Sequence, residues 1–108
     1  MKRIEVIGNL THDVELKETK SGDVANISIA VNSGKDKEPT FVPITVWKEQ
    51  AENLAKYNKK GSKLYIRADI ENNNYEKDGV KHYGFKFTAI EIEYLSSKKE
   101  GAGEDLPM

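Results

Sequence analysis

Apolar and polar residues alternate with a period of two through most of this chain, and this alternation restricts it to a fold built mainly from β-strands. It predicts five strands, over residues 3–10, 25–31, 40–48, 63–71 and 83–94. Residues 49–58 depart from the period, because their apolar positions recur at helical spacing and Lys59-Lys60-Gly61 follows as a stop signal. The sequence therefore predicts three strands, one α-helix and two further strands.

The order of these elements indicates a closed barrel. Three strands, a helix and two strands within about 95 residues suit the five-stranded oligonucleotide/oligosaccharide-binding (OB) barrel, with the helix between strands three and four. The predicted fold class is therefore mainly β. Pro43 removes a ladder donor from strand three, so that segment is predicted to be an edge or locally unpaired. A one-residue slip in the apolar phase of the last strand predicts a bulge near Thr88-Ala89.

The chain has the length of one domain, and its composition changes once, near Ser96. Residues 1–95 carry equal numbers of basic and acidic residues and are predicted to form the folded domain. Residues 96–103, with two glycines and no periodicity, are predicted to be a flexible linker to a short acidic tip at 104–108. Cysteine is absent, apolar runs reach only four or five residues, and no secretory segment opens the chain. These features predict a cytoplasmic protein.

Residues for catalysis do not converge in the sequence. The two histidines, His12 and His82, lie beside predicted loops or turns, where a solvated side chain is the ordinary case. The sequence has no glycine-rich phosphate loop, no nucleophile elbow and no metal-ligand spacing. We therefore expect no enzymatic activity, no cofactor and no metal site.

A basic segment between residues 53 and 68 stands out in a chain whose net charge is only −1. It contains five basic residues and no acidic one: Lys56, Lys59, Lys60, Lys63 and Arg67. Such segregation can present a positive groove to a phosphate backbone. It can equally complement the negative end of the predicted helix, which by itself accounts for Lys59 and Lys60. Charge alone leaves both interpretations open.

Four aromatic residues occupy positions that point away from the predicted core. They are Phe41 and Trp47 on strand three, Tyr65 on strand four, and Tyr75 in a polar arm over residues 72–82. The Asp78-Gly79 pair predicts the hairpin tip of that arm. Exposed rings interleaved with basic residues favour stacking on nucleic-acid bases, which contributes roughly 1–3 kcal/mol per base. The alternative for Phe41 and Trp47 is that they close one end of the core or fill a subunit interface.

Four blocks of the sequence resemble bacterial-type single-stranded DNA-binding proteins. They are residues 7–16 (IGNLTHDVEL), 24–32 (VANISIAVN), 47–55 (WKEQAENLA) and 59–66 (KKGSKLYI). The blocks follow the order and spacing of that family, so the resemblance covers about residues 2–95. The acidic tip is similar to the extreme C-terminus of the same family.

The resemblance implies an OB-fold homotetramer that coats single-stranded DNA in replication, recombination and repair, at the nucleoid and without a membrane. It places Phe41, Trp47 and Tyr75 on base-stacking positions and Tyr65 along the DNA groove. Phosphate contacts are expected from five basic residues: Lys56, Lys63, Arg67, Lys77 and Lys81. The tip is expected to dock replication and repair proteins through Glu104, Asp105, Leu106, Pro107 and Met108.

The chain departs from the family pattern at several positions. No aromatic residue occurs near Gly34-Lys35, where the family has a further stacking position, and Val14 replaces the usual proline. The linker is short, and the tip ends at Met108 after only two acids. We therefore expect one stacking contact fewer and weaker or redirected partner docking, in a form that suits a phage or mobile element.

Two other functions stay open at the level of the sequence. An OB-fold module similar to primosomal replication proteins would use the same barrel to hold other proteins, usually without an acidic tip. A small nuclease on a five-stranded barrel would need converging acids and arginines, and the sequence contains only Arg3 and Arg67.

Overall fold

The computed structural model describes residues 1–32, 34 and 37–95 and contains eight strands and one helix in those residues. The strands are β1 (Arg3–Leu10), β2 (Lys17–Thr19), β3 (Gly22–Val31), β4 (Thr40–Trp47), β5 (Lys63–Asn72), β6 (Tyr75–Lys77), β7 (Val80–His82) and β8 (Phe85–Tyr94). The helix, α1, covers Lys48–Tyr57. The predicted order of three long strands, helix and two long strands is confirmed, with β2 and the β6–β7 arm added as short strands.

The five long strands close into a barrel. Their sheet has the order β1-β5-β8-β4-β3-β2, and β1 also pairs with β3 through Asn9–Ala30 and Leu10–Ile29. Gly8 lies at this closure, where an added Cβ would overlap the carbonyl oxygen of Ala30. Glycine at this position therefore lets the two strands approach. The five-stranded OB barrel is confirmed.

The core consists of the inward positions of the long strands together with one side of α1. Its buried residues are Leu10, Ala25, Ile27, Ile29, Ile44, Val46, Ala51, Leu54, Leu64, Ile66, Ala68 and Ala89. The helix begins and ends one residue earlier than predicted. It ends at Tyr57 because Asn58 serves as its C-cap and donates its backbone N–H to the Leu54 carbonyl oxygen at 3.0 Å. Burial of Ala51 and Leu54 fixes the helix against the barrel.

The last long strand contains the predicted bulge, one residue beyond the predicted place. Arg67 faces Glu91 and Ala68 faces Ala89, so Ile90 is an extra residue in β8. The extra residue restores the inward phase, because Ala89 is buried and Ile92 packs against the core while Ile90 is exposed. The bulge therefore allows both halves of β8 to contribute to one core.

Two local predictions agree with the registers. Strand β4 pairs with β3 along its whole length but with β8 only at Thr45–Thr88, so Pro43 lies where β4 has a partner strand on one side. In the arm, β6 and β7 form a separate two-stranded hairpin. Its tip residues Asp78 and Gly79 have φ angles of 53° and 80°. Positive φ at both residues is what a two-residue hairpin turn needs for its twist to match the twist of the flanking strands.

Candidate nucleic-acid interface

The outer surface of the β3–β4 pair carries no charged side chain. We call it the β3–β4 face; its cross-strand pairs are Val24–Trp47, Asn26–Thr45, Ser28–Pro43 and Ala30–Phe41. Phe41 is 60% exposed, and Trp47 is half-buried against its neighbours. The alternation of strand three predicted both rings on this side, and the register confirms it. An uncharged surface with an aromatic ring at each end is suited to flat, apolar partners.

A groove of about 480 Å³ opens between the β3–β4 face and the beginning of β8. Its wall includes Asn26, Pro43, Thr45, Trp47, Asn73, Phe85 and Lys86. The Thr45 hydroxyl donates to Oδ1 of Asn26 at 3.1 Å, which ties the two polar side chains of the wall together. Among the residues described by the structure, Lys86 is the charged residue in this wall. The groove therefore combines ring faces, amide groups and one cation.

Phe85 and Lys86 belong to the groove but were not predicted as site residues. Phe85 shares its phase with Phe87, so the alternation assigns it to the apolar stripe of the last strand. The structure separates them: Phe87 faces Ile70 and packs against the core, whereas Phe85 faces Asn72 at the end of β5 and is 65% exposed. The sequence signal that could have identified Phe85 as exposed is the polar arm at residues 72–82, because it supplies little apolar surface to cover the start of β8.

Tyr75 lies on the arm, beside a second cleft lined by Asn74, Tyr75, Glu76, Lys81, His82 and Tyr83. Its ring stacks on the imidazole of His82, with centroids 4.7 Å apart and an interplanar angle of 11°. Tyr75 remains 56% exposed. Asn73 lines the groove and Asn74 lines the arm cleft, so the two concavities meet at consecutive residues. The third predicted stacking residue thus lies next to the groove rather than in it.

Tyr65 and Arg67 occupy a different outer surface, formed by β1, β5 and β8. We call it the β1–β5–β8 face; in register it contains Glu5–Arg67–Glu91 and Ile7–Tyr65–Glu93. The Tyr65 hydroxyl donates to Oε2 of Glu5 at 3.1 Å, and Arg67 forms a 2.9 Å ion pair with Glu91. Burial, and secondarily the bond to Glu5, raises the pKa of the Tyr65 phenol above its usual range. The structure does not bring these two residues to the groove.

The predicted phosphate-binding lysines are spread over the surface and none of them lines the groove. Lys56 lies over the Tyr57 ring at 5.3 Å, in the last turn of α1 where a cation complements the helix dipole. Lys63 is exposed at the start of β5. In the arm, Lys77 faces Val80 and Lys81 faces Glu76, so these two lysines lie on opposite sides of the hairpin.

The described residues 1–32, 34 and 37–95 offer no cluster of three or more His, Asp or Glu side chains arranged to hold a metal ion. The one helix in this part of the chain is too short and too polar to span a membrane. The predicted linker at 96–103 and the predicted docking tip at 104–108 lie outside the described residues, so both stay predictions.

Comparison with known proteins assigns the chain to a family. The model of the single-strand binding protein family (SSB) matches residues 1–95. The chain belongs to this family. The matched range includes the barrel, the arm and both aromatic ends of β4, so the site described above lies within the family's own domain.

Similar proteins are found in several bacteria. The chain is 37% identical to "Single-stranded DNA-binding protein 3" of Listeria innocua, with 95% of this chain and 69% of that protein covered. It is 35% identical to the "Single-stranded DNA-binding protein" of Oceanobacillus iheyensis, with coverages of 97% and 70%. Among solved structures, Rim1, a mitochondrial single-stranded DNA binding protein from S. cerevisiae, matches with a TM-score of 0.75 and 25% identity. That match covers 89% of this chain and 96% of the other.

Proposed function

We propose that this member of the SSB family binds single-stranded DNA without sequence preference, and coats and protects it in replication, recombination and repair. The observation that carries the proposal is the β3–β4 face, an uncharged surface with an outward aromatic ring at each end, beside a groove that contains Phe85 and Lys86. The names of the similar bacterial proteins support the same substrate.

Base stacking supplies affinity that does not depend on sequence, because every base has a π-face. Phe41 and Trp47 are six residues apart on β4 and therefore about 20 Å apart along the strand, which leaves room for several nucleotides between them. Phe85 adds a third ring at the groove and Tyr75 a fourth on the adjoining arm. Single-stranded DNA lying across this surface would meet aromatic rings at successive positions.

Phosphate contacts complete the proposed mode of binding. Lys86 is placed to meet a backbone whose bases lie against the groove wall. Of the exposed arm lysines, Lys77 lies on the same side of the hairpin as Tyr75 and Lys81 on the opposite side, so the proposed phosphate contacts extend along both sides of the arm. Because each neutralised phosphate of a single strand releases counterions, the affinity should fall as salt rises.

The deciding experiment is a titration of Trp47 fluorescence with oligo-dT at two salt concentrations, with duplex DNA as the control. Trp47 is the single tryptophan of the chain, so the signal reports one contact. We expect saturable quenching by oligo-dT that weakens at high salt, and little response to the duplex. Absence of quenching would put Trp47 in the core or in an interface, and the protein-docking function would then lead.

We further propose that copies of the chain assemble into a homo-oligomer, with the homotetramer expected from the family resemblance. Exposed apolar side chains on the barrel, among them Ile7 on β1 and Tyr94 and Leu95 at the end of β8, support such an assembly. Sedimentation velocity should then show a mass four times that of the chain. A monomer at micromolar concentration would contradict it.

Docking of replication and repair proteins on the tip is proposed from resemblance. Removal of residues 104–108 should abolish capture of such a protein and leave oligo-dT affinity unchanged. A partner that still binds the shortened chain would show that docking takes place on the barrel instead.

A further inference from the structure

The two sides of the arm hairpin differ in chemistry. On one side, the cross-strand pairs are Tyr75–His82 and Lys77–Val80, which combine two stacked rings, an aliphatic side chain and a cation. On the other side, Glu76 faces Lys81, so a carboxylate and an ammonium oppose each other. The side that carries Tyr75 therefore has a basic residue and no acidic one.

The stack covers one ring face of Tyr75 and leaves the other available. With centroids 4.7 Å apart and planes only 11° from parallel, the imidazole lies flat against the phenol ring. Tyr75 is nevertheless more than half exposed, and His82 is exposed as well. A base that stacked on the free face of Tyr75 would extend this stack to three rings, with His82 on the far side of Tyr75 and its charge within a Debye length of the strand's phosphates.

The geometry points to His82 as a proton-responsive part of the DNA contact: protonation of its imidazole strengthens binding of single-stranded DNA at Tyr75. This inference rests on the proposed function and deepens it, because it adds a residue and a pH response that the stacking surface alone does not have. An imidazole changes its charge between about pH 5 and 8. The charged ring places a cation behind the Tyr75 ring, where it attracts the phosphates of a DNA strand stacked on the other face.

The groups around His82 leave this charge available to DNA. On its own side of the hairpin it meets Tyr75 and Lys77. Glu76, Lys81 and Tyr83 share the cleft, with Glu76 and Lys81 opposed to each other on the other side. Asp78 lies at the tip, past Lys77. In the described structure, His82 has no ion pair with a carboxylate that would already neutralise an imidazolium.

The test measures the affinity for oligo-dT by calorimetry at about pH 6 and about pH 8, at constant ionic strength. Thymine carries no group that titrates in this range, so the response belongs to the protein. Three proteins are compared: the unaltered chain, His82→Gln and His12→Gln. The last is the matched control, because His12 is the other histidine of the chain and lies just after β1, where its Nδ1 is hydrogen-bonded to the Thr11 hydroxyl.

We expect the unaltered chain and His12→Gln to bind about two- to fivefold more tightly at the lower pH, and His82→Gln to lose this difference, because only a protonated His82 adds a charge that attracts the phosphates. The slope of log affinity against log salt should also be steeper at the lower pH, by up to about 0.7, in the two proteins that keep His82. A third variant, His82→Phe, keeps a ring against Tyr75 without a proton. It should retain binding at pH 8 and lose the pH response.

Equal pH responses in all the proteins would overturn the assignment of His82 and leave the proposed function standing. Failure to bind oligo-dT at either pH would overturn both. Circular dichroism of each variant checks that the barrel is intact, which is expected because the arm is a separate sheet outside the core.

Discussion

The two outer faces of the barrel both carry aromatic side chains, but in different surroundings. On the β3–β4 face, Phe41 and Trp47 have uncharged cross-strand neighbours and lie beside an open groove. On the β1–β5–β8 face, Tyr65 is bonded to Glu5, and Arg67 beside it is paired with Glu91. Polar groups that already have partners within the protein gain little from a ligand, whereas exposed rings without such partners gain from stacking.

The difference separates a surface whose polar groups are paired with one another from the surface that we propose for DNA binding. Outward aromatic residues look the same in the sequence of either face. What distinguishes them is whether a neighbouring strand supplies an acid at the same level of the barrel. Strands β1 and β8 supply Glu5 and Glu91 on either side of Arg67, while β3 supplies only Val24, Asn26, Ser28 and Ala30 opposite β4.

The largest expected effect is on the aromatic residues. Phe41→Ala and Trp47→Ala should each weaken oligo-dT binding by roughly 1–3 kcal/mol, because each removes one stacking platform. The matched control is Leu16→Ala, which truncates a 41% exposed apolar side chain between β1 and β2 and should leave affinity unchanged. Fluorescence anisotropy of labelled oligo-dT measures all three, with thermal unfolding as the check on folding. Equal losses in all three variants would show that the β3–β4 face is not the stacking surface.

Salt dependence sharpens the comparison for the basic residues. Lys86→Gln should reduce the slope of log affinity against log salt by about 0.7, because one phosphate contact is lost from the groove. Arg67→Gln should leave the slope unchanged, since its guanidinium is engaged by Glu91. Titrations with oligo-dT at four salt concentrations measure both slopes. A reduced slope in Arg67→Gln would place DNA on the β1–β5–β8 face.

For the free energy of unfolding, in contrast to DNA affinity, the β1–β5–β8 face should be the sensitive one. Glu91→Gln breaks the ion pair with Arg67 and should lower the free energy of unfolding by about 0–1 kcal/mol. The effect is small because both side chains are more than a third exposed and solvent screens the pair. Urea unfolding measures it. A change in oligo-dT affinity without a change in stability would contradict the structural role.

The smallest effect concerns the Tyr65 phenol, whose pKa is raised first by burial and then by Glu5. A raised pKa means that the folded protein favours the protonated phenol. The stabilisation that comes from the protonated Tyr65 phenol is complete below the ordinary tyrosine pKa of about 10. It is lost as the pH rises through the pKa that this phenol has in the folded protein. Melting temperatures of the unaltered chain and of Tyr65→Phe should therefore converge as the pH is raised above about 10. A constant difference up to pH 11 would exclude this linkage.

Much of the fold could be predicted from local patterns. The period of two places the long strands, the helical spacing of Ala51 and Leu54 places α1 to within one residue, and Asp78-Gly79 places the tip of the arm. These predictions succeed because each depends on residues close together in the chain. The same alternation put Phe41 and Trp47 on one outer face, and the register agrees.

The sequence by itself determined which side chains of β3, β4 and β5 point out of the barrel and which family the blocks of residues resemble. Only the tertiary structure decided which outward side chains meet. Closure of the barrel brings Phe85 and Lys86 to the groove beside Trp47 and surrounds Arg67 with Glu5 and Glu91. The physical reason is that alternation distinguishes only inside from outside, whereas the register between strands distant in the chain sets the neighbours of each exposed residue.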